Sequence, residues 1–100
     1  MPYRVSLTKV SKNKNALRTD SIDGFCNALP KVGDGFIVLA KPLEAGDVRK
    51  VWTSNVKEIL SKGKRDIRFL TQYSEYHLGI IRKVKKNPYK LPLPIVVQID

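Results

Sequence analysis

Asp47 to Gly63 reads DVRKVWTSNVKEILSKG, and the conformation of this stretch decides the fold class. Val48, Val51, Trp52, Val56, Ile59 and Leu60 recur at spacings that place them on one side of a helix. Asp47 would serve as its N-cap and Gly63 as its C-terminal stop. As a helix, the stretch would offer Arg49, Lys50 and Lys57 to a nucleic-acid groove. Its composition argues the other way. Val, Trp, Thr, Ser and Asn fill the middle, each a few tenths of a kcal/mol worse in a helix than the best formers. Thr53-Ser54-Asn55 would also compete for the helix's own backbone hydrogen bonds. The alternative is two β segments, VRKVWTS and VKEIL, joined by a kink at Asn55 and forming the wall of a small barrel.

The flanking sequence is β-like. YRVSLTKV alternates Tyr3, Val5 and Leu7 against Arg4, Ser6 and Thr8, the period-2 pattern of a strand with one buried face. Around Asp23-Gly24 a turn or bulge is expected before an apolar patch at Phe25. In LPKVGDGFIVLAKPL, Pro30, Gly33 and Gly35 mark a turn, FIVLA a buried strand, and Lys41-Pro42 its end. Lys62-Gly63-Lys64 reads as a turn into DIRFLTQYSEYHLGII, a hairpin with Ile67, Phe69 and Thr71 facing Tyr76, Leu78 and Ile80 across QYSE. RKVKKNPYKLPLP follows, and IVVQI reads as a closing strand.

The succession LPKVGDGF, RKVWTSNVKEI and RFLTQYSEYHL resembles small β-barrel proteins encoded by bacteriophages. Those proteins share a Leu-Pro-x-x-Gly turn before a strand, then a Thr-Ser/Thr-x-Val-x-x-Ile strand and a Thr-x-x-Ser-x-Tyr hairpin. The resemblance covers residues 1–81, implies strands for 48–60, and brings no catalytic residues with it. The expected fold is therefore all-β, a small SH3-like or OB-like barrel or a curved antiparallel sheet. An α+β fold with one helix at 48–61 is the alternative. The expected organisation is a barrel at 1–81, a basic proline-containing arm at 82–94 and a closing strand at 95–100.

Totals narrow the function. One hundred residues with 42% hydrophobic content suit a single domain with one core. The longest apolar runs fall far short of the roughly 20 residues of a membrane span. MPYRVSLTKV lacks a signal peptide's apolar stretch, and the single Cys26 forms no internal disulfide, so a cytoplasmic protein is expected, in a host cell if viral. Cys26 beside Phe25 reads as a buried structural thiol, and His77 as an exposed strand residue. Asp20 with Asp23 and Glu44 with Asp47 read as loop-forming pairs. DSIDG lacks calcium-loop spacing, and GDG at 33–35 lacks the rest of a phosphate-binding loop. No enzyme activity, cofactor or metal site is expected.

The net charge of +10 is the strongest functional signal, and it is unevenly placed. Residues 1–19 carry five cations, Arg4, Lys9, Lys12, Lys14 and Arg18, and no acid. Residues 20–75 carry nine basic against eight acidic groups. Residues 76–100 carry Arg82, Lys83, Lys85, Lys86 and Lys90 against one acid, Asp100. If the first and last strands pair, these ends form one basic face. Lysine and arginine bind phosphates by releasing counterions, and exposed aromatics give bases a stacking surface. Tyr73 and Tyr89, in turn and tail positions, are the expected stacking residues. A nucleic-acid-binding protein acting through phosphate contacts is the leading expectation. A viral module that docks on a host enzyme or virion component by an edge strand or the basic arm is the alternative.

Overall fold

The structure, a computed structural model, describes residues 2–10, 21–40, 48–89 and 95–99. The described residues form eight strands and no helix: β1 (Tyr3–Val10), β2 (Ser21–Cys26), β3 (Gly35–Ala40), β4 (Arg49–Asn55), β5 (Glu58–Lys62), β6 (Asp66–Leu70), β7 (Glu75–Lys83) and β8 (Ile95–Ile99). They make one sheet in the order β5-β6-β7-β1-β2-β3-β4-β8. Every neighbouring pair is antiparallel except β4 and β8, so the sheet is mixed.

The opening stretch is therefore two strands, and the helix at 48–61 does not form. Val51 and Thr53 point to the buried side two residues apart, while Leu60 is exposed. A helix would have put Leu60 in the core with Val56. The Thr53 hydroxyl also serves the sheet, accepting a hydrogen bond from the Phe36 N–H at 3.0 Å. At the kink after Asn55 the chain bonds in two directions. Val56 donates to the Asp34 carbonyl and accepts from Gly33, both at 2.9 Å, and Lys57 donates to Leu70 at 2.7 Å. One short passage thus ties the β3 end of the sheet to the β6 end.

That tie curls the sheet around its core. Phe36 on β3 and Phe69 on β6 are far apart in strand order, yet their rings meet edge-on at 5.6 Å. Phe69 also stacks on Tyr76, its direct cross-strand partner, at 5.5 Å. Val5, Leu7, Cys26, Val38, Ile67 and Leu78 complete the interior. Each buried residue of β1, β6 and β7 alternates with an outward one, the pattern their sequences carry. The curled sheet is not closed, because β5 and β8 remain its two edges.

Several expectations need correction. The first and last strands do not pair: β1 lies between β7 and β2, whereas β8 lies parallel to β4 at the far edge. The IVVQI run therefore extends the sheet rather than closing it, and the sheet is not purely antiparallel. Asp23 and Gly24 are not a turn but the middle of β2. Gly24 is there because β3 presses close: a Cβ on it would strike the Leu39 carbonyl oxygen and lie 2.9 Å from the Ala40 Cα. Arg82 and Lys83, the first residues of the expected arm, belong to β7, and residues 90–94 of that arm lie outside the described residues. His77 is half-buried rather than exposed, standing between Arg68 and Thr8 on neighbouring strands.

Candidate nucleic-acid interface

The β5–β6 hairpin turns through Lys62-Gly63-Lys64-Arg65-Asp66, held by a 2.7 Å hydrogen bond from the Gly63 N–H to the Asp66 carbonyl. The Arg65 carbonyl accepts from the Ile80 N–H at 2.7 Å, which fixes the turn against β7. On β7 the ladder with β1 slips by one residue: Val5 faces Ile80 but Arg4 faces Arg82, leaving Ile81 as the extra residue of a bulge. Bulges re-aim side chains, and here the slip brings Arg82 opposite Arg4 and Lys83 opposite Tyr3. The Lys83 ammonium lies 6.0 Å from the centre of the Tyr3 ring.

These pieces surround a cavity of about 420 Å³ at one end of the curled sheet. Its rim carries Lys62, Lys64, Arg65, Arg82 and Lys83. Its apolar wall is made by Tyr3, Leu29, Ile67 and Ile80. No carboxylate is among its described lining residues; in the adjoining turn, the Asp66 Oδ1 lies 3.5 Å from where a Cβ on Gly63 would stand. Among the described residues none of the five rim cations forms an ion pair within 4.0 Å. Directly opposite like charges, as at Arg4 and Arg82, repel across a ladder by a few tenths of a kcal/mol or more. An arriving anion relieves that repulsion.

Of the residues nominated from sequence, the fold gathers Arg82 and Lys83 at the rim and sets Arg4 beside them on the adjoining strand. Lys85 and Lys86 are exposed on the segment that continues from β7. Lys9 is at the opposite end of β1, facing Tyr76, about 17 Å from Arg4 at ~3.3 Å per residue. Tyr73 is 65% exposed in the β6–β7 turn, but that turn is also at the far end of β7. Tyr89 is not exposed as expected. It is half-buried, its ring meeting Phe25 edge-on at 5.5 Å and its N–H bonded to the Asn87 Oδ1 at 2.9 Å. Asn87 in turn donates to the Asn27 Oδ1 at 3.0 Å, so this part of the tail lies on the sheet. Lys12, Lys14, Arg18 and Lys90 lie outside the described residues.

Lys62, Lys64 and Arg65, three of the five rim cations, were not nominated, and neither was Tyr3 in the wall. Their signal was the basic hairpin turn itself, three cations within four residues. Summed with the acids of residues 20–75, that turn disappears into a balanced middle. Cys26 is fully buried, and burial pushes its thiol up to about 11, partly offset by a backbone hydrogen bond. Among the described residues no three His, Cys, Asp or Glu side chains come together to hold a metal, and no helix is long and apolar enough to cross a membrane.

Comparisons with protein-family models, with curated proteins and with solved structures return no match for this chain.

Proposed function

We propose that the protein binds nucleic acid without catalysing a reaction, holding phosphates at the cationic mouth of a barrel-like sheet. The observation that carries this reading is the gathering of Lys62, Lys64, Arg65, Arg82 and Lys83 around one cavity with no carboxylate among its described lining residues. Two separate parts of the chain supply these cations, and the fold holds them together against mutual repulsion. Such an arrangement suits a polyanion, whose regularly spaced phosphates meet several cations at once. Phosphate contacts carry no sequence information, so binding is sequence-tolerant. The setting proposed for it is the cytoplasm of a phage-infected cell.

Protein freed of nucleic acid by nuclease in high salt is tested with a labelled oligonucleotide at low salt. Binding is expected, and the K62Q/K64Q/R65Q variant is expected to weaken it at least tenfold. Lys57, exposed at the other end of β5, supplies the control: K57Q leaves affinity unchanged. Equal losses in the two variants refute the assignment.

A second reading rests on β8. It is an edge strand whose Val96 is 58% exposed, suited to pairing with an extended segment of another protein. One protein recovered stoichiometrically after nuclease treatment, and lost with Val96→Lys, supports it. Recovery only while nucleic acid survives counts against it.

A further inference from the structure

We infer that the mouth takes single-stranded nucleic acid, one base entering the cavity against Tyr3 while the flanking phosphates lie on the rim. This rests on the nucleic-acid reading above and adds to it the form of the ligand. The argument begins with the wall. A site for phosphate alone has no use for apolar surface, yet Tyr3, Leu29, Ile67 and Ile80 line this cavity inside its ring of cations. The four belong to different elements: β1, the β2–β3 connection, β6 and β7. Ile67 belongs to the core and Tyr3, Leu29 and Ile80 pack against it, so this wall is continuous with the hydrophobic interior.

Size decides between duplex and single strand. A volume near 420 Å³ lies at the lower end of small-ligand pockets, about 300–1,000 Å³, and admits one planar group. A duplex keeps its bases stacked inside and could touch only the rim, leaving the apolar wall in water. A single strand can turn one base out at no pairing cost. Every base has an apolar face that stacks on an aromatic ring, so the contact does not depend on sequence.

The Tyr3 ring is available for it. Lys83 stands 6.0 Å from the ring centre, the outer limit of a cation–π contact, and its long side chain is exposed. A phosphate at the rim would draw that ammonium away as the base arrives. Tyr3 and Lys83, directly opposite on adjacent strands, would then contact base and phosphate of neighbouring nucleotides.

The test compares three fluorescein-labelled ligands of equal phosphate number by anisotropy at low salt: oligothymidylate, an abasic oligonucleotide of the same backbone, and a duplex. Oligothymidylate is expected to bind about 5- to 150-fold more tightly than the abasic strand, the fold-change that stacking of one base gives. Tyr3→Ala should remove that difference, with circular dichroism showing that the variant keeps its fold. Tyr3→Phe should keep it. Equal affinity for oligothymidylate and abasic strand overturns the inference while leaving the phosphate reading intact. Duplex binding as tight as single-strand binding does the same. No binding to any of the three at low salt overturns both.

Discussion

Removing Arg82 and Lys83 together tests how many rim cations meet phosphate. Five cations line the mouth. On a single strand each neutralised phosphate contributes about −0.7 to the slope of log K against log salt, giving about −3.5 for all five. Raising KCl fourfold, from about 50 to about 200 mM, then weakens binding roughly 130-fold. In R82Q/K83Q three cations remain, the slope falls to about −2.1, and the same change in salt costs roughly 18-fold. The ratio between the two salt dependences, near sevenfold, is well outside titration error. Anisotropy titrations with oligothymidylate at four KCl concentrations measure both slopes. Circular dichroism confirms that both proteins keep the all-β spectrum, as expected for exposed side chains at the end of β7. A wild-type slope near zero refutes the polyelectrolyte argument. A variant slope equal to the wild-type slope shows that these two side chains meet no phosphate.

Two further predictions probe the frame. Gly24→Ala should destabilise the protein by about 3 kcal/mol, the upper part of the overpacking range, because the added methyl meets β3 backbone that cannot rotate away. Urea unfolding measures it, and a loss under 1 kcal/mol would contradict the close β2–β3 approach. Cys26 should resist thiol reagents at pH 8 until the protein is unfolded, since its thiol is buried and pushed up to about 11. Its thiol releases its proton near pH 9 in the unfolded chain but only near 11 in the folded one. Between those values the folded state binds more protons, so stability falls as pH rises, by roughly 2–3 kcal/mol in total. Cys26→Ala, compared across the same pH range, should lose that part of the slope; identical slopes would argue against a buried thiol.

The strands were legible wherever side-chain alternation and local turn chemistry agreed. β1, the Pro30–Gly35 turn and the β6–β7 hairpin lie as their residues suggest, with Phe69 facing Tyr76 and Ile67 facing Leu78. The 47–63 stretch was ambiguous because its apolar spacing suits a helix while its residue types suit strands. Long-range hydrogen bonds at Val56 and Lys57 decide it, and no local pattern encodes them. Gly24 misled for a related reason. A glycine in a strand looks like a turn when the approaching β3 carbonyl is not in view.

Of the five rim cations, two were legible in the sequence. Charge counted along the chain found Arg82 and Lys83 at the rim, and Arg4 on the neighbouring strand beside them. It missed the hairpin cations, because Asp23, Asp34, Glu58 and others offset them in sequence but not in space. It also grouped Lys9 and Tyr73 with the site, although the length of β1 and β7 separates them from the mouth. Sequence gives the sign of a charge cheaply; only strand order tells which charges become neighbours.

The most direct test is to locate the bound strand on the folded protein. In a titration of ¹⁵N-labelled protein with oligothymidylate, amide shifts should concentrate at residues 62–67 and 79–84 and at Tyr3. Lys9, Lys57 and the Tyr73 turn, at the other end of the sheet, should stay still. Shifts centred on that opposite end, with the Lys62–Arg65 turn and Arg82 unmoved, would contradict a cationic mouth as the binding site.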